Sequence, residues 1–258
     1  MTCCKERYEF GEFLGKGSFA KVYRARDLET GENVAIKKYD TNFSGALSRE
    51  RDILKRLDHL YVQRYLGHFS DSGISYLVTN FFEGRDLWQR IRMKEFPTPD
   101  MLSMILEQGV EALLHLQERE VIHRDIKPHN IIFGSKNIGL IDFGSAIVSS
   151  ENNPYCAGTP SFMAPEQRDF KFEYSNDVWG LGMTLYAAAG GSVSCFGRVG
   201  EIPCDSEFKK IIEMMLRENP GYRISAFQLR EITGKMPLKR LLKSPNLLLS
   251  VKKRFIWF

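Results

Sequence analysis

Hydrophobic periodicity changes character once along this chain, near residues 80–84, and that change limits the folds open to it. Before it, residues 8–14, 21–27 and 33–39 are short runs rich in β-branched and aromatic side chains. Gly15-Lys16-Gly17-Ser18-Phe19 separates the first two, and a linker containing Glu29-Thr30-Gly31-Glu32 separates the last two. This pattern predicts a three-stranded antiparallel meander. A helix is expected over 46–57, where Leu47, Ile53, Leu54 and Leu57 keep helical spacing, followed by strands near 61–69 and 74–79. Beyond the change, residues 101–119 form an amphipathic pattern with Leu102, Ile105, Leu106, Gly109, Leu113 and Leu116 on one stripe. Short strands over 131–133 and 138–141 precede a mainly helical remainder. A strand-rich first third and a helix-rich rest predict two lobes, and a cleft between lobes is the usual place for a ligand.

The chain's 43% apolar residues suffice for a sizeable core. No apolar run approaches the roughly 18 residues of a membrane span, and residues 1–9 are polar, unlike a secretory signal. Cys3, Cys4, Cys156, Cys195 and Cys204 are odd in number and include no CxxC pair. That composition argues against a disulfide framework or zinc site and for reduced thiols in the cytoplasm and/or nucleus. The net charge of +4 is unevenly placed. Residues 235–258 carry Lys235, Lys239, Arg240, Lys243, Lys252, Lys253 and Arg254 with no acid, so the remainder is net negative. Such a tail reads either as a peripheral helix with a solvated basic face or as a surface for acidic partners, anionic lipid or nucleic acid.

Four motifs carry chemistry. Gly15 and Gly17 would let backbone N–H groups approach a phosphate, although the turn alone reads equally as a plain hairpin. It joins two strands and opens no helix, which argues against a dinucleotide fingerprint. Val34-Ala35-Ile36-Lys37 places an ammonium in an apolar strand, where it needs a partner. Glu50 could supply that partner or could be a surface glutamate within Arg49-Glu50-Arg51. His123-Arg124-Asp125-Ile126-Lys127-Pro128-His129-Asn130 is more specific, because it gathers a carboxylate, an ammonium and an amide between apolar segments. Asp125 can accept a proton from a hydroxyl, Lys127 can neutralise a transferring group, and Asn130 can ligate a metal. Asp142-Phe143-Gly144 puts a carboxylate at a strand end beside a glycine, a good metal-holding position.

Together these motifs resemble the eukaryotic-type serine/threonine protein kinase superfamily. The resemblance extends through Ala164-Pro165-Glu166, Asp177-Val178-Trp179-Gly180 and Arg223, which in the family pairs with the glutamate matching Glu166. It implies an α+β, bilobal protein kinase fold: a small, mainly antiparallel β N-lobe with one helix, and a larger, mainly α-helical C-lobe. The implied limits are an N-terminal extension over 1–7 and a kinase domain over 8–234, divided into N-lobe 8–79, hinge 80–84 and C-lobe 85–234, followed by the basic tail 235–258. The implied ligands are ATP and Mg2+. ATP would lie against Leu14, Gly15, Lys16, Gly17, Ser18, Phe19, Ala20, Lys21, Val22 and Ala35, with Lys37 on its phosphates and Glu50 holding Lys37. Thr79 would gate the pocket behind adenine. Asn80 to Phe82 would form the hinge, and Asp86 would contact ribose. Asn130 and Asp142 would hold metal, and Asp125 and Lys127 would be catalytic. Lys127 and the Gly158-Thr159-Pro160 run resemble kinases that act on Ser and Thr.

The same resemblance implies protein substrates and no nucleic acid. It also makes an upstream kinase or activator an expected partner, with Ser149, Ser150 and Thr159 as activation-segment phosphosite candidates and Tyr155 as a further hydroxyl there. Thr159 is expected more to bond the catalytic Asp and Lys than to serve as the regulatory site. Two features depart from the family. His129 replaces the glutamate that helps basophilic members bind arginine, and residues 187–203 lack the usual Pro-Pro-Phe stretch. The run from Leu14 to Arg24 is similar to polo-like and Aurora-like glycine loops, which leaves a cell-cycle role open. A non-catalytic scaffold and a small-molecule kinase are the competing readings. The intact catalytic set argues against the first, and the run from Gly158 to Glu166 against the second.

Overall fold

The computed structural model describes residues 5–17, 19–39, 44–151, 157–194, 199–204 and 206–235. Ser18, Tyr155, Cys3, Cys4, Cys156, Cys195 and the tail beyond Lys235 lie outside the described residues.

Strands β1 (Tyr8–Lys16), β2 (Ala20–Asp27) and β3 (Asn33–Tyr39) form the expected meander. Helix α1 (Ser44–Leu54) follows, and then β4 (Tyr65–Asp71) and β5 (Ile74–Asn80) complete a five-stranded antiparallel sheet in the order β1-β2-β3-β5-β4. Period-two alternation divides β3 between two environments. Val34 and Ile36 enter a small apolar cluster with Tyr8, Ala25, Phe69, Tyr76 and Val78. Lys37 and Tyr39 take the opposite face and meet α1.

Two expectations shift here. Helix α1 stops at Leu54, because the Arg56 and Leu57 amides turn back to the Ile53 and Leu54 carbonyls. The strand expected from residue 61 opens only at Tyr65. The intervening backbone is engaged elsewhere: the Leu140 amide donates to the Tyr61 carbonyl and the Gln63 amide to the Leu140 carbonyl, so this segment is tied to the second lobe.

The second lobe runs through β6 (Arg85–Asp86), α2 (Leu87–Arg92), α3 (Pro99–Glu118), β7 (Val121–Ile122), β8 (Ile131–Phe133), β9 (Ile138–Leu140), β10 (Ile147–Val148), α4 (Pro165–Arg168), α5 (Tyr174–Ala188), α6 (Ser206–Met215) and α7 (Ala226–Lys235). Thr98 caps α3 and Pro99 occupies its first turn, where a missing N–H costs nothing. Helix α5 is buried on nearly every side, as its apolar composition requires. The two-residue strands β6, β7 and β10 carry no readable alternation and were not expected. Among the described residues between α5 and α6 there is no helix. One apolar cluster joins Leu47 and Leu54 of α1 through Phe143 to α3, α5, α6 and α7, so the lobes share a core behind the cleft.

Candidate active site

The site begins with an ion cluster between β3, α1 and the end of β9. Lys37 Nζ donates to Glu50 Oε1 at 2.5 Å and to Asp142 Oδ1 at 2.7 Å. The Tyr39 hydroxyl donates to the other Glu50 oxygen. Glu50 is only 3% exposed, which decides against the surface reading of this residue. A buried ammonium is tolerated because both carboxylates meet it directly. Burial alone would lower the Lys37 pKa, but Asp142 and Glu50 outweigh it and hold the amine charged, above its ordinary value. Lys37 in turn holds the Asp142 carboxyl at about 2, against the effect of burial. The Asp142 side chain is 43% exposed, so it reaches into the cleft while paired.

Asp142 sits in left-handed backbone (φ +67°). Its amide donates to Gln63 Oε1 at 2.9 Å, and the following Phe143 packs edge-on against His123 at 4.7 Å. The His123 and Arg124 amides donate to the buried Asp177 carboxylate at 2.7 and 2.9 Å, which fixes the start of the 123–130 loop on α5. Burial raises the Asp177 pKa, and the His123 side draws it back.

Asp125 lies at the centre of a second cluster. Lys127 Nζ donates to Asp125 Oδ2 at 2.6 Å and to Thr159 Oγ1 at 2.7 Å, and the Thr159 hydroxyl donates to Asp125 Oδ1 at 2.8 Å. Thr159 thus delivers an alcohol hydrogen to Asp125, the contact a hydroxyl acceptor would need. Gly158 makes this approach feasible. It adopts φ +121°, and a Cβ there would lie 2.5 Å from the Arg124 carbonyl oxygen. Asn130 Nδ2 donates to the Asp125 carbonyl at 2.9 Å, which leaves its side-chain oxygen as an acceptor.

The glycine-rich turn closes with the Gly17 amide on the Ala20 carbonyl. A Cβ at Gly15 would meet nothing within 4 Å, and one at Gly17 only Ala20 O at 3.7 Å. Protein packing therefore does not demand glycine at either position, whereas close approach of a ligand would. Leu14, Lys16, Phe19 and Lys21 are exposed around this turn, and Gly15, Ala20, Val22 and Ala35 are half-buried. Thr79 is fully buried. Asn80 remains in β5, with its amide on Arg64 O and its side chain accepting from Arg64 N. The Phe82 ring lies where a Cβ of Gly139 would be, so the linker between lobes packs on β9. Asp86 caps α2 through Oδ1.

The segment after β10 places its candidates differently. Thr159 belongs to the Asp125 cluster. Ser149 and Ser150 are exposed, and Ser149 Oγ accepts from the Tyr174 hydroxyl at 3.0 Å. Arg124 is engaged by Ser145 O at 2.7 Å and stacks over Phe172. Glu166 and Arg223 pair through two contacts, at 2.5 and 2.9 Å.

Sequence reasoning did not single out Gln63, Tyr39 or Gln167. Gln167 bridges the Arg124 and Ala157 carbonyls. Gln63 stands as a single amide in the run Tyr61-Val62-Gln63, within the strand expected near 61–69.

A sequence profile of the protein kinase domain family matches residues 8–233. An Aurora kinase of Eremothecium gossypii is 29% identical over 92% of this chain and 68% of its own length. An Aurora kinase of Yarrowia lipolytica is 32% identical over 83% of the chain and 59% of its own length. The CBL-interacting serine/threonine-protein kinase 13 of Arabidopsis thaliana is 29% identical over 85% of the chain and 49% of its own length. The chain thus spans about half to two thirds of the relatives it matches.

Proposed function

The chain belongs to the protein kinase domain family, and from that premise we propose that it transfers the γ-phosphoryl group of ATP to serine and threonine hydroxyls of protein substrates. One observation carries the reading: the Glu50–Lys37–Asp142 chain and the Asp125–Lys127–Thr159 cluster are both assembled and are joined through the shared 123–142 segment. Phosphoryl transfer requires positioning and charge neutralisation more than covalent help from the protein.

In this reading Lys37 holds the α- and β-phosphates, with Glu50 and Tyr39 setting its position. The glycine-rich turn covers the phosphates, Val22 and Ala35 contact adenine, Asn80 to Phe82 offer the linker backbone, and Asp86 takes the ribose. Among the described residues no group of three or more His, Cys, Asp or Glu forms an all-protein cation cage. Two oxygen donors, on Asp142 and Asn130, suit a magnesium ion that completes its shell with phosphate and water. When bound, that ion would neutralise phosphate charge. Asp125 accepts the hydrogen of the acceptor hydroxyl in place of Thr159, and Lys127 faces the transferring group. No helix among the described residues is long and apolar enough to cross a membrane. A cytoplasmic or nuclear location suits the expected reduced cysteines. An upstream kinase or activator would act at Ser149 or Ser150, and a phosphate on Ser149 would displace the Tyr174 hydroxyl.

Labelled γ-phosphate and a degenerate peptide array test the reading. Label is expected on Ser and Thr acceptors, and transfer to tyrosine alone, or to none, would refute it. The array also tests acceptor context. His129 stacks on Trp88 with centroids 4.8 Å apart. Its pKa is lowered, by burial first and then by Lys127, despite Asp86 and Asp125. A neutral aromatic pair therefore stands where an acid would attract arginine. The wild type is expected to show no strong arginine preference, and His129→Glu to gain roughly threefold to tenfold for arginine-containing peptides, the scale of one partly exposed charged contact. An unchanged array profile for His129→Glu would show that this surface does not touch the substrate.

A further inference from the structure

A buried amide links the gate of the nucleotide pocket to the metal-facing carboxylate. Gln63 is 3% exposed, and its backbone is anchored, with its amide on the Leu140 carbonyl. Its side-chain oxygen accepts from the Asp142 amide at 2.9 Å. Its side-chain nitrogen donates to Thr79 Oγ1 at 3.0 Å, and Thr79 passes its own hydrogen to the Ala35 carbonyl at 3.4 Å. The Asp142 N–H can only donate, so the amide orientation is determined: oxygen towards Asp142 and nitrogen towards Thr79. A carboxylate of the same length could accept from Asp142 but could not donate to Thr79 Oγ1. An aliphatic side chain would leave the Asp142 N–H without its acceptor. A carboxylate could meet Thr79 only by taking its hydroxyl hydrogen away from the Ala35 carbonyl, whereas the amide serves Asp142 and Thr79 and leaves that bond in place.

The position it serves is one of the few described non-glycine residues in left-handed backbone. Asp142 is a non-glycine residue at φ +67°, a conformation that persists only where the surroundings over-determine it. That conformation aims the carboxylate at Lys37 while leaving it open to the cleft. Turning the Asp142–Phe143 peptide would withdraw the carboxylate from Lys37 and unseat Phe143 from His123.

We propose that Gln63 is a positioning residue: it holds Asp142 in its metal-facing backbone conformation and couples that conformation to the gate residue Thr79. The inference rests on the kinase reading for its functional consequence, but its structural part can be measured without turnover. Gln63→Met keeps the volume and removes both hydrogen bonds. In the full chain without nucleotide or metal, amide exchange over residues 142–144 should be about tenfold faster than in the wild type, the scale of one lost buried hydrogen bond. The Mg2+ concentration for half-maximal phosphoryl transfer at fixed ATP should rise about as much, while adenosine affinity stays within about twofold, because adenosine carries no phosphate for the metal to bridge. Unchanged exchange, or faster exchange with an unchanged Mg2+ requirement, would overturn the proposal. If Gln63→Met does not melt cooperatively, Gln63→Glu keeps the acceptor for the Asp142 amide and should retain slow exchange; fast exchange in that variant would also overturn it. A wild type without Mg2+-dependent transfer refutes the kinase reading alone, since the exchange experiment still judges Gln63.

Discussion

Asp125→Asn should reduce phosphoryl transfer about 10³-fold while leaving ATP affinity within about threefold of the wild type. The side chain keeps its size and can still accept the Thr159 hydroxyl hydrogen that Asp125 Oδ1 receives at 2.8 Å. It loses the charge that meets Lys127 Nζ at 2.6 Å, and it can no longer take up a proton. Asn130 Nδ2 donates to the Asp125 backbone carbonyl at 2.9 Å and only at 3.4 Å to its side-chain Oδ2, so the shorter contact that holds the neighbouring metal-facing group is kept. Lys37, Glu50 and Asp142 belong to the other cluster and stay paired. The defect should therefore lie in the chemical step. Single-turnover transfer and binding of a fluorescent nucleotide, measured on the same protein, separate the two. A variant that keeps a tenth of the wild-type rate would remove Asp125 from the catalytic role.

The second large effect concerns folding. Arg223→Met should destabilise the chain by about 3–5 kcal/mol, the range for breaking a buried ion pair from one side. The Arg223 side chain is 0% exposed, and both of its terminal nitrogens meet Glu166. The same guanidinium donates to the Arg217, Glu218 and Ser175 carbonyls and stacks on Trp179. It therefore joins α4, the start of α5 and the connection between α6 and α7. Among the described residues, removing it leaves the buried Glu166 carboxylate with only the Asn176 amide. Adding Glu166→Met should recover a substantial part of the loss, because the stranded charge goes with it. Urea denaturation of both variants measures this. A single-variant loss below 1 kcal/mol would show that the pair does not hold the segment after Thr159 onto the helical lobe.

How much was legible before the structure depended on the distance along the chain over which each signal acts. The meander was readable because turn residues and alternation are local. The strand expected from residue 61 was not, since its first residues pair with β9 and not with β5, and an apolar run does not say which neighbour it will choose. Asp125, Lys127 and Asn130 announced themselves because three chemically different groups stand within six residues of one another. Glu50 did not, because the same glutamate between two arginines suits a surface helix or a buried ion pair equally well. Gln63 was missed for a similar reason: an amide in an apolar strand has no visible purpose until Thr79 and Asp142 arrive on either side of it.

By itself, then, the sequence determined the division into two lobes, the chemistry of the 123–130 loop and the identity of the charged groups, since periodicity and close spacing are properties of the covalent chain. Tertiary structure alone decided which carboxylate pairs with Lys37, which carbonyl holds Arg124, and which amide secures Asp142. Those choices join residues from separate elements, such as Lys37 with Asp142 and Gln63 with Asp142. Burial made each choice binding, because a polar group taken out of water must find its partner within the fold.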